Sequence, residues 1–145
     1  MMLVDSNVCV AAIAETHDRH VPSFAFIETN VGRIALSAHS LSEAYNMLTR
    51  PAGRGFGLEP NLVSHALHTM RDRHRLIGLT PAQTFDAIGL FDGMGGIGPR
   101  LYDCLIGRAA VVQGLRTIVT WNVRDMHCLF PGLRVATPAD AMVEG

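Results

Sequence analysis

The first eight residues constrain the fold of this chain more than any other stretch. Residues 1–4 form an unbroken apolar run, and Asp5, Ser6 and Asn7 follow it directly. A short apolar run that ends in polar residues is typical of a buried central strand in a parallel sheet. Asp5 would then lie at the carboxyl end of that strand, the edge where open α/β sheets bind ligands. Because a buried carboxylate is costly unless its charge is compensated, the sequence predicts a cation nearby.

The remaining sequence alternates short apolar runs with segments of helical pattern, which predicts an α/β fold with a mostly parallel sheet. The predicted strands lie at residues 1–4, 33–36, 76–79, 115–120 and 133–136. No internal repeat or linker interrupts the pattern, so residues 1–145 are expected to form a single domain.

Local signals mark several helix ends. Ser40 and Glu43 have the spacing of a capping box, and Thr80 and Gln83 repeat it with a proline between them. The glycine- and proline-rich residues 50–60 predict a mobile loop, and residues 121–131 predict a polar connection without regular structure.

Composition excludes several kinds of chemistry. All twelve basic residues are arginine, so a lysine-dependent phosphate loop and Schiff-base catalysis are both excluded. The net charge of −1 does not predict a polyanion partner for the fold as a whole. Three cysteines without metal-type spacing, no basic leader and no long apolar run predict a reduced, cytoplasmic protein that does not enter a membrane.

Polar residues at four places are expected to meet at one edge of the sheet. Asp5 ends the first strand, Glu43 and Asp103 lie near the starts of helices, and Asn122 and Asp125 follow the fourth strand. Each has a simpler explanation alone: Glu43 as a capping residue, Asp103 as a helix-dipole acid, and the last two as turn residues. The functional hypothesis depends on the set as a whole, because strand ends and following helix starts share one edge.

Clustered carboxylates repel one another and favour a hard cation. Mg²⁺ and Mn²⁺ prefer oxygen ligands and keep several waters. Such an ion activates and orients water and stabilises the leaving oxygen of a phosphodiester. The acidic set therefore predicts metal-dependent phosphodiester hydrolysis.

Four segments together resemble the acidic motifs of PIN-domain ribonucleases: Leu-Val-Asp-Ser-Asn at 3–7, Ser-Glu-Ala at 42–44, Tyr-Asp-Cys-Leu-Ile at 102–106 and Thr-Trp-Asn-Val-Arg-Asp at 120–125. Their order and spacing, and the chain length, are similar to those of VapC toxins. The resemblance implies a PIN-like three-layer α/β/α fold and a metal-dependent endoribonuclease acting on structured RNA such as tRNA or rRNA. It also implies a VapB-type antitoxin as partner and a homodimer or a higher toxin–antitoxin assembly.

Within this resemblance, Asp5, Glu43 and Asp103 match the three acids of the family. The fourth position, an acid in many PIN domains, is Asn122 here, so either Asn122 or Asp125 fills it. We therefore expect Asp5 and Asp103 to bind the main Mg²⁺ or Mn²⁺ ion, with Glu43 helping directly or through water. Asn122 or Asp125 would orient the water that attacks phosphorus in line.

Cationic residues are needed beside an acidic pocket that binds RNA. The candidates for phosphate contacts are Arg54, Arg100, Arg108 and Arg124. Phe24, Ile27, Leu41 and Met47 are interpreted as ordinary core residues rather than as the lining of an antitoxin groove.

Two other functions compete with the nuclease hypothesis. The Asp5 segment partly resembles the nucleophile motif of haloacid-dehalogenase phosphatases, but the second aspartate and the lysine of that class are missing. The amide at Asn122 would also suit a catalytically inactive PIN-fold binding module.

Overall fold

The computed structural model describes residues 1–143, which form a central sheet with helices on both sides. The elements are β1 (Met2–Val4), α1 (Ser6–Ile13), α2 (His20–Thr29), β2 (Ile34–Ser37), α3 (Ala38–Thr49), α4 (Pro60–Arg73), β3 (Arg75–Ile77), α5 (Pro81–Gly93), α6 (Arg100–Val112), β4 (Thr117–Val119), α7 (Val123–Leu129), β5 (Arg134–Ala136) and α8 (Pro138–Val143). Within the described residues, no helix combines the length and apolarity that crossing a bilayer requires.

The sheet has the strand order β3-β2-β1-β4-β5, and every pairing is parallel. β1 therefore lies at the centre, as its apolar sequence predicts. Leu3 pairs with Ala35 on one side and with Ile118 on the other, which fixes the register of the three central strands. Because all five strands run in one direction, their carboxyl ends share one edge.

Successive side chains of the central strands point to alternate faces of the sheet, and a hydrophobic core lies on each face. Val4 and Val119 point to the face covered by α1 to α4, where Phe26 and Leu48 are buried. Leu3 and its neighbours point to the opposite face, where they pack on α6 and α7. Successive strand residues face opposite sides of a sheet, so both faces of these short apolar strands are buried. The result is the predicted three-layer α/β/α arrangement.

The capping box predicted at Ser40 is wrong, whereas the one at Thr80 and Gln83 is confirmed in both of its hydrogen bonds. α3 begins three residues earlier than predicted because the Ser37 hydroxyl accepts the Ser40 backbone N–H at 2.9 Å. Glu43 consequently lies in the second turn of α3. Its carboxylate does not cap the helix and lies instead near the acids at the carboxyl edge of the sheet.

The predicted polar connection at residues 121–131 is also wrong, because it contains α7 (Val123–Leu129). Asn122 stands at its N-cap position, and only Met126 and Leu129 are buried on it. Seven residues with two buried apolar side chains give too little periodicity for a helix to be recognised in the sequence.

The glycine- and proline-rich segment is a hydrogen-bonded turn that folds back on the end of α3. The backbone N–H of Phe56 donates to the Met47 carbonyl, and that of Leu58 donates to the Leu48 carbonyl. A Cβ at Gly55 would overlap the Met47 carbonyl oxygen, so only glycine permits this close approach. The turn thereby holds the Phe56 ring beside the loop between α1 and α2.

Candidate active site

Asp5 is the most buried acid at the carboxyl edge of the sheet, with 2% of its surface exposed. Its backbone N–H donates to the Val119 carbonyl at 2.9 Å, which extends the β1–β4 pairing by one residue. The Ser6 backbone N–H donates to one carboxylate oxygen at 2.7 Å, and the Thr120 hydroxyl donates to the other at 2.7 Å. Asp5 is therefore rigidly oriented by the first residues of α1 and by the end of β4.

Thr120 and Asn7 connect Asp5 to the next segment of the chain. The Thr120 hydroxyl oxygen accepts from the Asn7 side-chain amide and from the Asn122 backbone N–H, each at 3.0 Å. The Asn7 side-chain oxygen in turn accepts the Trp121 backbone N–H at 3.1 Å. Sequence reasoning gave neither Thr120 nor Asn7 a role, and only the adjacency of β1 and β4 could have suggested one.

Glu43 projects toward the same edge from α3, beside His39. One Glu43 carboxylate oxygen is buried and has no hydrogen-bond partner. The His39 Nε2 atom lies 3.3 Å from that oxygen, within ion-pair distance but without the geometry of a hydrogen bond. The His39 ring stacks on Tyr102 of α6, with ring centroids 5.2 Å apart. His39, which the sequence did not single out, therefore joins α3 to the helix that carries Asp103.

Asp103 lies in the first turn of α6, and the other acids affect its pKa. Burial raises the pKa of its carboxyl group to about 6, and the charges of Asp5, Glu43 and Asp125 add to the rise, while Arg100 opposes it. Burial also raises the pKa of Asp5, the Thr120 hydroxyl lowers it, and the Glu43 charge raises it further. The structure thus brings acids from four separate segments within electrostatic reach of one another.

The fourth position of the site, called its fourth corner below, contains an amide side chain that is hydrogen-bonded to an acid. The Asn122 side-chain N–H donates to a carboxylate oxygen of Asp125 at 3.0 Å. The Arg100 guanidinium donates to the backbone carbonyl of Asp125 at 3.3 Å. Asn122 and Asp125 therefore act together at this corner, and Arg100 fixes the start of α7 to the start of α6.

The four arginines predicted as phosphate contacts are placed differently. Arg100 and Arg124 are exposed beside the acids, on α6 and α7, and Arg54 is exposed in the turn after α3. Arg108 lies further along α6, is half-buried, and has a buried Nε atom without a hydrogen-bond partner. Arg108 is thus the one member of the set that faces protein rather than solvent.

The donor chemistry fits a hard divalent cation. The charges of three carboxylates add to the raised pKa of Asp103, and one buried Glu43 oxygen has no hydrogen bond. A cation among these acids would reduce the repulsion and supply a partner for that oxygen. As the side chains stand, no three Asp, Glu, His or Cys residues in residues 1–143 are grouped closely enough to hold an ion. The acids therefore lie within electrostatic reach of one another without closing around one point.

A family model described as the PIN domain matches residues 2–124, which include Asp5, Glu43, Asp103 and Asn122. No curated protein matches the sequence significantly. The phosphatase alternative has no support from these comparisons, because the matching family is a different one.

Solved structures with the same fold include a VapC toxin and VapBC complexes. Mycobacterium tuberculosis VapC20, a sarcin–ricin loop cleaving toxin, is 16% identical with a TM-score of 0.71, over 92% of this chain and 99% of that chain. VapBC from Salmonella typhimurium, solved with DNA, is 22% identical with a TM-score of 0.67, over 95% of this chain and 99% of that chain. VapBC2 from Rickettsia felis, bound to a promoter DNA fragment, is 22% identical with a TM-score of 0.62, over 92% and 96%.

Proposed function

We propose that this chain, which belongs to the PIN domain family, is a Mg²⁺- or Mn²⁺-dependent endoribonuclease and the VapC-type toxin of a type II toxin–antitoxin pair. The observation that carries the proposal is that acids from four separate segments, Asp5, Glu43, Asp103 and Asp125, lie near one edge of the sheet, where burial and then the charges of the other three raise the pKa of Asp103. Groups that repel one another at one edge of a sheet destabilise the fold unless they serve a ligand.

Each acid has a distinct part in this proposal. Asp5, held by Thr120 and Ser6, would be the fixed ligand of the divalent ion, and Asp103 would be the second. Glu43 would contribute, directly or through water, the oxygen that has no hydrogen bond. When bound, the ion supplies Lewis-acid activation of water and stabilises charge on the phosphate. The Asn122–Asp125 pair would orient the attacking water through the side-chain oxygen that each residue has to spare.

RNA is the substrate class that best fits an acidic site flanked by arginine. Arg100 and Arg124 lie beside the acids, where they would hold the phosphates on either side of the cleaved bond. The VapC20 toxin, which has this fold, is described as cleaving the sarcin–ricin loop, a structured RNA. By analogy, we propose a folded RNA such as tRNA or rRNA as the target of this chain.

The test is RNA cleavage by purified protein with Mg²⁺ or Mn²⁺. We expect cleavage by the wild type and at least a hundredfold slower cleavage by Asp5→Asn and Asp103→Asn. Asp86→Asn, an exposed aspartate on α5, is the matched control and should cleave like the wild type. Cleavage that survives in either site variant, or that persists in excess chelator, would contradict the proposal.

A VapB-type antitoxin is the proposed partner, as in the VapBC complexes that share the fold. Exposed apolar side chains on α2, α3 and α4 would contact it. Phe24 and Met47, which the sequence assigned to the core, belong to this surface with 51% and 37% of their area exposed, whereas Ile27 is buried as predicted. Co-expression with the product of a neighbouring short gene should suppress toxicity, and Phe24→Asp should weaken that suppression.

A second exposed apolar surface supports the proposed homodimer, on which a higher toxin–antitoxin assembly would be built. Phe85 and Ile88 on α5 and Ile97 after it are exposed, with Phe85 at 74% and Ile97 at 86%. Apolar side chains this exposed commonly mark a protein interface. Sedimentation should therefore give a dimer for the wild type and a monomer for Phe85→Asp, and a monomeric wild type would contradict this arrangement.

A further inference from the structure

A polar cavity of about 460 Å³ lies beside the acids and has no role in the function proposed above. It opens between the loop that joins α1 to α2 and the segment that follows β4. Its lining residues are Asn7, His17, Asp18, Arg19, Trp121 and Asn122. A volume of several hundred Å³ is within the range of pockets that hold one small ligand.

Arg19 and Trp121 form a stacked pair on one wall of this cavity. The Arg19 guanidinium carbon lies over the indole ring, 4.6 Å from the ring centroid. The indole N–H donates to the buried Ser23 hydroxyl on α2 at 2.9 Å, which fixes the ring. A guanidinium over an indole is held by cation–π attraction, and its second face remains available for another planar group.

The backbone of Arg19 is also fixed. The Nδ1 atom of His17 accepts the Arg19 backbone N–H at 2.9 Å. The His17 ring in turn stacks on Phe56, with centroids 5.6 Å apart and an angle of 26° between the rings. Within residues 1–143, Arg19 makes no ion pair with a carboxylate, so its charge is not neutralised inside the fold.

The cavity is physically continuous with the candidate active site through Asn7. The Asn7 amide approaches a carboxylate oxygen of Asp5 at 3.4 Å and donates to Thr120 at 3.0 Å, while its oxygen accepts from Trp121. Asn122, which also lines the cavity, belongs to the fourth corner of the acidic set. The cavity and the acidic site therefore share Asn7 and Asn122 and are adjacent.

We infer that this cavity binds one unpaired nucleotide next to the cleaved phosphate, with its base stacked on the free face of the Arg19 guanidinium. The inference depends on the proposed nuclease function and adds a specificity site to it. Single-stranded RNA is recognised by stacking unstacked bases on aromatic rings and on guanidinium planes. Asp18 supplies carboxylate oxygens that can accept hydrogen bonds from the edge of the base.

The test combines protein variants with abasic RNA. Arg19→Ala and Arg19→Lys are compared with the wild type and with Arg33→Ala, an exposed arginine just before β2, at the opposite edge of the sheet. The substrates are an RNA that the wild type cleaves and the same RNA lacking one base beside the cut, at each flanking position in turn. Steady-state kinetics give KM and kcat for every pair.

We expect Arg19→Ala and Arg19→Lys to raise KM about tenfold with little change in kcat, because lysine keeps the charge but loses the plane. One abasic position should raise the KM of the wild type by a similar factor and have no further effect in the Arg19 variants. Arg33→Ala should match the wild type on every substrate. Equal losses of the Arg19 variants on intact and abasic RNA, or a fully active Arg19→Lys, would overturn the inference.

Binding measured by fluorescence anisotropy in chelator separates this inference from the nuclease proposal. If labelled single-stranded RNA binds the wild type and the intact–abasic difference disappears in Arg19→Ala, the cavity assignment holds whether or not cleavage is seen. If the wild type cleaves RNA while Arg19→Ala has unchanged kinetics and binding, only the cavity assignment fails. If the wild type neither binds nor cleaves RNA, both fail. Unchanged RNA binding with weaker capture of the antitoxin would assign Arg19 to the protein partner instead.

Discussion

The two halves of the acidic site differ in how completely their polar groups are paired. On the strand side, Asp5 accepts short hydrogen bonds from Ser6 and Thr120. On the helix side, a buried Glu43 oxygen has no hydrogen-bond partner, and burial with neighbouring charges raises the pKa of Asp103 to about 6. The strand side is thus oriented by hydrogen bonds within the fold, whereas positive charge would further stabilise the helix side.

The difference explains how one site can be both rigid and responsive. Asp5 and Thr120 end adjacent central strands, so the sheet fixes their separation. Glu43 and Asp103 lie on α3 and α6, which cover opposite faces of the sheet, and the buried Glu43 oxygen has no hydrogen bond to hold it in place. A ligand therefore has one anchored carboxylate to bind and others that adjust to it.

The largest effect is expected from Asp103→Asn, with opposite signs for activity and stability. Cleavage should fall at least a hundredfold, because a carboxylate on the helix side is lost. In chelator at pH 7.5, the variant should be more stable than the wild type by about 1 kcal/mol, a figure reduced for the partial exposure of the side chain. Thermal melts with chelator measure this difference directly.

The pH dependence of that difference follows from the raised pKa of Asp103. Between its ordinary value of 3.8 and about 6, the folded protein holds the proton and the unfolded chain releases it. The stability of the metal-free wild type therefore falls as pH rises through this window, and Asp103→Asn lacks this contribution. The advantage of the variant should be full above pH 6 and vanish near pH 4. A constant advantage across this range would show that Asp103 is not perturbed as described.

Thr120→Val tests the strand side and should have the next largest effect. It removes the hydroxyl that donates to Asp5 and accepts from Asn7 and from the Asn122 backbone, all in a buried position. We expect a loss of about 2 kcal/mol in the free energy of unfolding and about tenfold slower cleavage. Thr117→Val, at the start of β4, is the control for the same loss of a hydroxyl group. Equal losses in the two variants would mean that the hydroxyl network is not special.

Asn122→Asp tests which residue fills the fourth corner. The substitution replaces the amide that donates to Asp125 by a second carboxylate and so adds charge repulsion to the site. We expect a melting temperature a few degrees lower in chelator and a larger increase on adding Mn²⁺ than the wild type shows. An identical Mn²⁺-induced increase in both proteins would place this corner outside the metal site.

The smallest effect is expected at His39, whose ring connects α3 to α6 on the helix side of the site. His39→Phe keeps a ring to stack on Tyr102 but removes the nitrogen near Glu43, whereas His39→Gln keeps a nitrogen donor without the ring. If His39 positions Glu43, His39→Phe should lower kcat a few-fold at constant KM, and His39→Gln should stay near the wild type. The reverse ranking would show that the ring stack matters more than the nitrogen.

Features of the fold that depend on local sequence could be predicted, whereas features that depend on tertiary contacts could not. The N-terminal apolar run predicted a central strand, and Thr80 with Gln83 predicted a helix start, because both signals are local. The start of α3 was misplaced because Ser37 and Ser40 both suit an N-cap and only the packed chain chooses between them. α7 was missed because its helix depends on tertiary burial of Met126 and Leu129.

For the site, the sequence supplied the acids but not the groups that orient them. Asp5, Asp103 and Asp125 follow from strand and helix ends, Glu43 was expected at a helix start but lies one turn further along α3, and the structure brings all four within electrostatic reach. The contacts of Thr120 and Asn7 cross from β1 to β4, more than a hundred residues apart in the chain. Such pairings are set by strand order, which the sequence alone leaves open. The pairing of Arg19 with Trp121 escaped notice for the same reason.

Binding of Mn²⁺ to purified protein, measured by calorimetry without RNA, tests most directly whether acids from distant segments serve one ion. The wild type and the exposed control Asp86→Asn should bind with the same affinity. Asp5→Asn and Asp103→Asn, from the two halves of the site, should each bind at least tenfold more weakly. Binding that is equal in all four proteins, or absent from the wild type, would contradict a shared metal site.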